Sequence, residues 1–452
     1  MMKAKVITLG CKVNQYESEA MLSSLLQHGF AAAEDKETAD VVILNSCTVT
    51  AESDRKVRQI FRRAKKDNPD AVMVLTGCMA QAFPEDARRL EEADIILGTS
   101  NRKRLVPDLL AFLSARQRII DIAPHTNDEK FEDLNVENFT GRTRAFVKIE
   151  DGCNRFCSYC IIPYARGAIR SLPLDTAVRQ VRELRQQGYR EVVVTGIEIS
   201  SWGADLKNGQ KPQDLIRAIC EAVPDMRVRL GSLEPRTVDP GFCAALKNCE
   251  NLCPQFHLSL QSGCDETLRR MNRHYTSEQY LEGVHILRRL HRKYSTERYL
   301  ESCRLLRETF PDCAITTDLI VGFPQETEEE FTATLEFLRK ADFAAMHIFP
   351  YSRRTGTPAA DMPGQIPQAE KEQRAARAAE VEAELRQHYQ GGFLGKCLPV
   401  LFEQQDGQGR WTGHTPNYIL VAVESERDLH NKILPVKITG QEAHGLIGAI
   451  EA

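Results

Sequence analysis

Three times in the first eighty residues a short apolar run ends in a small residue and then a cysteine. The segments are Leu9-Gly10-Cys11, Asn45-Ser46-Cys47 and Thr76-Gly77-Cys78, and a fourth apolar run spans 95–97. Amphipathic stretches at 17–28 and 52–66 lie between them, long enough for crossover helices. This alternation predicts a parallel sheet with helices on its faces. In such a sheet the carboxyl ends of the strands share one edge, where ligands bind. The three cysteines, 36 and 31 residues apart, are therefore expected to converge there. One cysteine at a strand end is ordinary packing; three at equivalent places point to a metal site. Three thiolates suit an iron–sulfur cluster with one iron left open, because a closed site wants a fourth ligand.

Fourteen cysteines in 452 residues make that reading pressing, since 42% hydrophobic and 27% charged residues are otherwise unremarkable. At roughly 150 residues per domain the length implies about three domains, and the composition excludes disordered and fibrous classes. The start lacks the cationic and apolar regions of a signal peptide, and no apolar run is long enough to span a bilayer. A cytoplasmic protein is expected, in which thiols serve as buried filler or soft-metal ligands. A net charge of −4 announces no nucleic-acid partner. The basic segments 52–66 and Arg102-Lys103-Arg104 are the local candidates for phosphate contacts.

The most specific motif follows a polar connector. A strand over 146–149 leads into Cys153-Asn154-Arg155-Phe156-Cys157-Ser158-Tyr159-Cys160. Three thiolates on one loop can wrap one small metal centre, whereas zinc wants a second pair nearby and the next cysteine is Cys220. This spacing resembles the radical S-adenosylmethionine (SAM) superfamily. There the open iron of a [4Fe-4S] cluster chelates SAM and cleaves it to methionine and a 5′-deoxyadenosyl radical. By that resemblance Tyr159 packs on the SAM adenine. Thr195, Gly196, Glu234 and Asp318 lie at strand ends, which makes them candidates for holding SAM or the target base. Strand candidates at 192–194, 228–230, 256–260, 315–321 and 346–349, separated by helical patterns, fit a partial parallel barrel with its chemistry at the carboxyl ends.

Two three-cysteine sets on one chain resemble the methylthiotransferases, and the resemblance covers essentially the whole chain. It is carried by Thr8-Leu9-Gly10-Cys11-Lys12-Val13-Asn14-Gln15-Tyr16-Glu17-Ser18-Glu19, Arg166-Gly167-Ala168-Ile169-Arg170-Ser171, Gln261-Ser262-Gly263 and Gly322-Phe323-Pro324-Gln325-Glu326-Thr327. The wording after Cys11, together with Arg354-Thr355-Gly356-Thr357-Pro358, is similar to the branch acting on threonylcarbamoyladenosine in tRNA. The resemblance implies that Cys153, Cys157 and Cys160 carry the SAM-cleaving cluster and Cys11, Cys47 and Cys78 an auxiliary cluster supplying sulfur. It implies SAM as both methyl donor and radical source, substrate contacts from Arg166 and Arg170, a reductant such as flavodoxin or ferredoxin, and a monomer. Another tRNA base or a ribosomal protein is the alternative target. A non-catalytic RNA-binding protein holding zinc is the contrasting reading.

The implied fold class is α/β: an open parallel-sheet domain over 1–115, a linker over 116–138, a partial (β/α) radical SAM barrel over 139–370, a helical connector over 371–392 and a small β-barrel over 393–452. That last piece, with Gly413-His414-Thr415-Pro416-Asn417-Tyr418, resembles the RNA-binding TRAM domain. One departure from the family pattern is a repeat: 268–289 and 287–308 match at 11 of 22 positions. The second copy is expected to pack as the barrel helix and the first to form extra surface. The other eight cysteines, including the pair Cys249 and Cys253, are expected to be packing.

Overall fold

The computed structural model describes residues 1–34, 37–126, 128–134, 136, 139, 142–272 and 295–451. It divides into two compact units. The first comprises 1–140, 148–172 and 352–361; the second comprises 141–147, 173–351 and 362–452.

The first unit opens with β1 (Lys3–Thr8), α1 (Lys12–Gln27), β2 (Ala31–Ala32), β3 (Val41–Ser46), α2 (Ala51–Asp67), β4 (Val72–Gly77), α3 (Cys78–Ala82), α4 (Pro84–Arg88), β5 (Ile95–Leu97), α5 (Leu105–Ala115) and β6 (Ile119–Asp121). The strands form a parallel sheet in the order β2-β1-β3-β4-β5-β6. The edge strand β6 is drawn from the stretch expected to be linker. Every residue of β3 and β4 is buried, as parallel strands covered on both faces must be. Alternation divides their side chains: Val42, Leu44, Met73 and Leu75 pack with Val57 and Phe61 of α2. Val41, Ile43, Val72 and Val74 pack with Leu25 of α1 and Leu109 of α5. Helix α2 is fixed at its start by the Thr50 hydroxyl, which accepts from the Ser53 amide, and carries acids in its first turn and lysines in its last.

β7 (Arg144–Asp151) begins in the second unit and ends in the first. The first unit continues with α6 (Ile162–Arg166) and β8 (Arg170–Ser171), which pairs antiparallel with the end of β7.

The second unit continues with α7 (Leu174–Gln186), β9 (Glu191–Gly196), α8 (Pro212–Ala222), β10 (Arg227–Leu230), β11 (Ser232–Leu233), α9 (Pro240–Leu246), β12 (Gln255–Leu258), α10 (Asp265–Arg270), α11 (Thr296–Thr309), β13 (Ala314–Val321), α12 (Glu328–Ala341) and β14 (Ala345–Pro350). β9 and β10 are parallel neighbours, as are β11, β12, β13 and β14 in that order. The expected barrel strands are all present, in two sheets joined by a bridge between Val228 and Leu252. Residues 273–294, with the first repeat copy's helical pattern and the start of the second copy, lie outside the described residues. The second copy supplies α11, whose buried Tyr299 donates to the Leu258 carbonyl (2.9 Å) and meets Phe337 and Phe343 edge-on.

Helix α13 (Gln368–Gly391) leads to β15 (Cys397–Gln405), β16 (Trp411–His414), β17 (Leu420–Val423), β18 (Ile433–Glu442) and β19 (Gly445–Ile450), a closed barrel in the order β15-β16-β17-β19-β18. Gly413 is required in β16, because a Cβ there would lie 2.1 Å from the Leu401 oxygen. The barrel is anchored at the amino ends of β9 and β10. Arg227 donates to the carbonyls of His414 (3.1 Å) and Pro399 (2.8 Å). Arg229, paired with buried Glu191 (2.6 Å), donates to the Pro416 carbonyl (2.9 Å). Tyr418 stacks on His414 at 4.5 Å, and the Arg229 guanidinium lies 4.6 Å from its ring centre.

Candidate active site

Cys11, Cys47 and Cys78 follow β1, β3 and β4, neighbouring strands of the first unit's sheet. Gly10 at φ +115° turns the chain so that Cys11 caps α1, and Gly77 at φ +98° sets Cys78 at the start of α3. Neither glycine tolerates a side chain. A Cβ on Gly10 would lie 2.7 Å from the Cys47 Cβ, and one on Gly77 would lie 2.4 Å from the Ser46 oxygen. Ser46 turns without a positive φ: its hydroxyl donates to the Thr76 carbonyl (2.5 Å) and accepts from the Met79 amide (3.3 Å). Cys11 is exposed, and Cys47 and Cys78 are buried. Burial, then the neighbouring Cys78 and Cys11, pushes the Cys47 thiol up to about 12. Burial also pushes Cys78 up, while Arg166 pulls the other way. Among the described residues no three His, Cys, Asp or Glu side chains are placed to share one metal ion. Ligands of a four-iron cluster bind different irons and need not converge on a point. Three thiols on adjacent loops, one open to solvent, fit that group.

Behind the cysteines lies a buried polar network. Asn14 and Glu17, three and six residues after Cys11, share one face of α1. The Asn14 amide donates to the carbonyls of Leu9 (2.8 Å) and Ser46 (3.0 Å), joining two cysteine loops. Glu17, fully buried, receives Arg166 (2.5 Å), Lys148 (2.7 Å) and Arg102 (2.9 Å). Burial alone would push the Glu17 carboxyl up, but Arg102, Arg166 and Lys148 outweigh it and hold it near about 2. Asp151, against Lys148 at 2.6 Å, is likewise held low despite its burial. Arg166 also donates to Asn14 Oδ1 (2.6 Å) and, through Nε, to Cys78 Sγ (3.3 Å).

Three arginines read from the sequence as outward contacts are buried. Arg166 and Arg170, expected to contact substrate, are buried in this network, Arg170 against Glu129 at 3.1 Å. Arg102, expected to meet phosphate, is buried against Glu17 and Glu132. The basic residues of α2 do face outward: Arg55, Lys56, Arg62, Arg63 and Lys66 are exposed. Arg354, read from the sequence only as part of a branch motif, sends its guanidinium to Thr48 Oγ1 (2.5 Å) and Asp54 (2.7 Å), beside Cys47.

The second cysteine set lies in the same unit. Gly152 at φ +84° leaves β7 so tightly that a Cβ would lie 2.0 Å from the Ala168 oxygen. The Cys153 amide donates to Gly167 O (3.0 Å) and the Cys160 amide to Cys157 O (2.9 Å). The Ala359 amide donates to Ser158 O (2.8 Å). Cys157 is buried, Cys153, Cys160 and Tyr159 half-buried. Phe156, at φ +46°, stands exposed and edge-on to exposed Tyr164 at 5.9 Å. Helix α6, just after this loop, packs against α3, which starts at Cys78. In the second unit Thr195 and Gly196 end β9, and Glu234 follows β11 with its carboxylate on Arg236 (2.7 Å).

The remaining cysteines largely pack: Cys220, Cys243, Cys253, Cys303 and Cys313 are buried. Burial drives Cys253, Cys303 and Cys313 up to about 12. The neighbouring Cys249, then burial, pushes the Cys220 thiol up, and Cys397 is exposed.

The model of Uncharacterized protein family UPF0004 matches residues 3–98, and that of the Radical SAM superfamily matches 147–291 and 285–338. The last two segments overlap inside the sequence repeat. The threonylcarbamoyladenosine tRNA methylthiotransferase MtaB of Bacillus subtilis is 35% identical over 95% of this chain and 92% of its own length. That of Thermotoga maritima is 36% identical over 93% and 91%. The chain belongs to this methylthiotransferase family. A tRNA-2-methylthio-N(6)-dimethylallyladenosine synthase of Acetivibrio thermocellus is 32% identical over 98% of this chain and 90% of its own. The fold of this methylthiotransferase is shared by a radical S-adenosylmethionine methyltransferase from Kitasatospora setae, with TM-score 0.57, 15% identity and coverage of 79% and 74%. No helix among the described residues is long and apolar enough to cross a membrane.

Proposed function

We propose that this methylthiotransferase converts N6-threonylcarbamoyladenosine at position 37 of tRNA, beside the anticodon, into its 2-methylthio derivative. The observation that carries the reading is the pair of three-cysteine sets within one compact unit, the helix after one packed on the helix that starts at Cys78 of the other. Cys153, Cys157 and Cys160 hold one [4Fe-4S] cluster, and Cys11, Cys47 and Cys78 hold a second. When bound, the two clusters supply reductive cleavage of SAM and the sulfur that is transferred to carbon 2 of the adenine.

The chain's own residues do the rest. Gly10 and Gly77 let the loops approach, Asn14 ties two of them together, and Arg354 braces the loop after Cys47. By the family resemblance Tyr159 packs on the SAM adenine, and Thr195, Gly196 and Glu234, at strand ends, are the candidates for its remaining contacts. The exposed aromatic pair Phe156 and Tyr164 offers stacking surface to nucleobases. The basic face of α2 and the C-terminal five-stranded barrel, which resembles a TRAM domain, are the surfaces for tRNA phosphate. An external reductant such as a flavodoxin or ferredoxin supplies electrons. Choice of the threonylcarbamoyl over the dimethylallyl substrate rests on the wording after Cys11 and on residues 354–358.

The test is a split. Cys157→Ala abolishes formation of 5′-deoxyadenosine from SAM, whereas Cys47→Ala retains it and stops sulfur insertion. Loss of SAM cleavage in both variants, or in neither, contradicts the division of labour.

A further inference from the structure

The guanidinium of Arg166 has more contacts than a structural ion pair needs. It follows Cys160 by six residues on α6, yet its Nε donates to the sulfur of Cys78, in the other cysteine set, at 3.3 Å. Its Nη2 is fixed by Asn14 (2.6 Å) and Glu17 (3.0 Å), and its Nη1 by Glu17 (2.5 Å). The side chain is wholly buried. A planar fork held at two corners presents its remaining N–H in one direction only, and that direction is the ligand sulfur.

We infer that Arg166 is a positioning residue that sets the reduction potential of the group bound by Cys11, Cys47 and Cys78. The inference rests on the reading that these three cysteines hold an iron–sulfur cluster. A hydrogen bond from a cation to a ligand sulfur stabilises the electron-rich, reduced form and raises the potential. In a water-free surrounding the effect is enlarged. Glu17 opposes it: its carboxylate is a fixed negative charge bound to the same guanidinium, offset in part by Lys148 and Arg102. The pair Arg166 and Glu17 therefore sets the potential from both sides. The motif Arg166-Gly167-Ala168-Ile169-Arg170-Ser171 thereby gains a physical task inside the protein rather than on the substrate.

The experiment uses the full chain with Cys153, Cys157 and Cys160 replaced by Ala, leaving one cluster, in a redox titration followed by electron paramagnetic resonance. In that background Arg166→Lys keeps a cation for Glu17, but one ammonium cannot also hold the Cys78 sulfur. Its midpoint potential shifts to more negative values at unchanged iron content. Glu17→Gln removes the opposing charge and shifts the midpoint the other way. A purely structural role predicts lost stability with an unmoved midpoint. If Arg166→Lys loads poorly, the Glu17→Gln shift alone decides. An unmoved midpoint in a loaded variant overturns the inference, and a background that binds no cluster overturns the cluster reading beneath it.

Discussion

Gly10 and Gly77 are the residues on which the strand-end site most directly depends. A methyl group on either would overlap the neighbouring cysteine loop, and both sit at positive φ, where any side chain is strained. Gly77→Ala is therefore expected to lower iron from about eight to about four atoms per chain, since only the loop at Cys153 to Cys160 keeps its geometry. Iron analysis with SAM cleavage retained checks this; full loading contradicts it. Glu17 gives a pH prediction. Its folded value is depressed to about 2 from 4.5, so it stabilises the fold above the unfolded value and loses that contribution as pH falls from about 4.5 toward 2. The stability gap between the natural chain and Glu17→Gln, from urea unfolding, is expected to narrow over that window. The cysteines and glycines were legible because their placement is local, a turn and a thiol at a strand end. Arg166 was not, because its partner Glu17 stands 149 positions away. A lone arginine in sequence reads as surface or as substrate contact.

At the scale of elements, period and length located most of the central strands of both parallel sheets to within two residues. The run at 315–321 became most of β13, and 346–349 the centre of β14. What periodicity could not show was attachment. The segment Gly413 to Tyr418 reads as an RNA-module signature, yet its carbonyls at His414, Thr415 and Pro416 receive Arg227 and Arg229. The sequence holds no trace of this, because backbone acceptors are the same for every residue type. Arg229 is buried against Glu191, so Arg229→Ala leaves an uncompensated carboxylate and is expected to cost about 3–5 kcal/mol. Replacing both, as Arg229→Met with Glu191→Leu, is expected to recover most of that loss. Thermal denaturation of the two variants checks the pair; equal losses contradict it.

Across the whole molecule, fourteen cysteines in a chain of net charge −4 resolve into two sets of three and a largely packed remainder. The near-neutral sum conceals an outward basic face on α2 and an inward cluster of Arg102, Lys148, Arg166 and Arg170 serving Glu17 and Asp151. The repeat at 268–308 is a whole-chain question. Lengthening a connection costs only about 0.6 kcal/mol per doubling, so deleting 19 residues to leave one copy is expected to preserve folding and activity; an unfolded product contradicts that. The most direct test of the account is one incubation. Anaerobically reconstituted protein, SAM and a reductant are mixed with tRNA containing both threonylcarbamoyladenosine and dimethylallyladenosine, and the digested nucleosides are measured by mass spectrometry. The account predicts 2-methylthio-threonylcarbamoyladenosine with dimethylallyladenosine untouched; methylthiolation of the dimethylallyl nucleoside alone, or of neither, contradicts it.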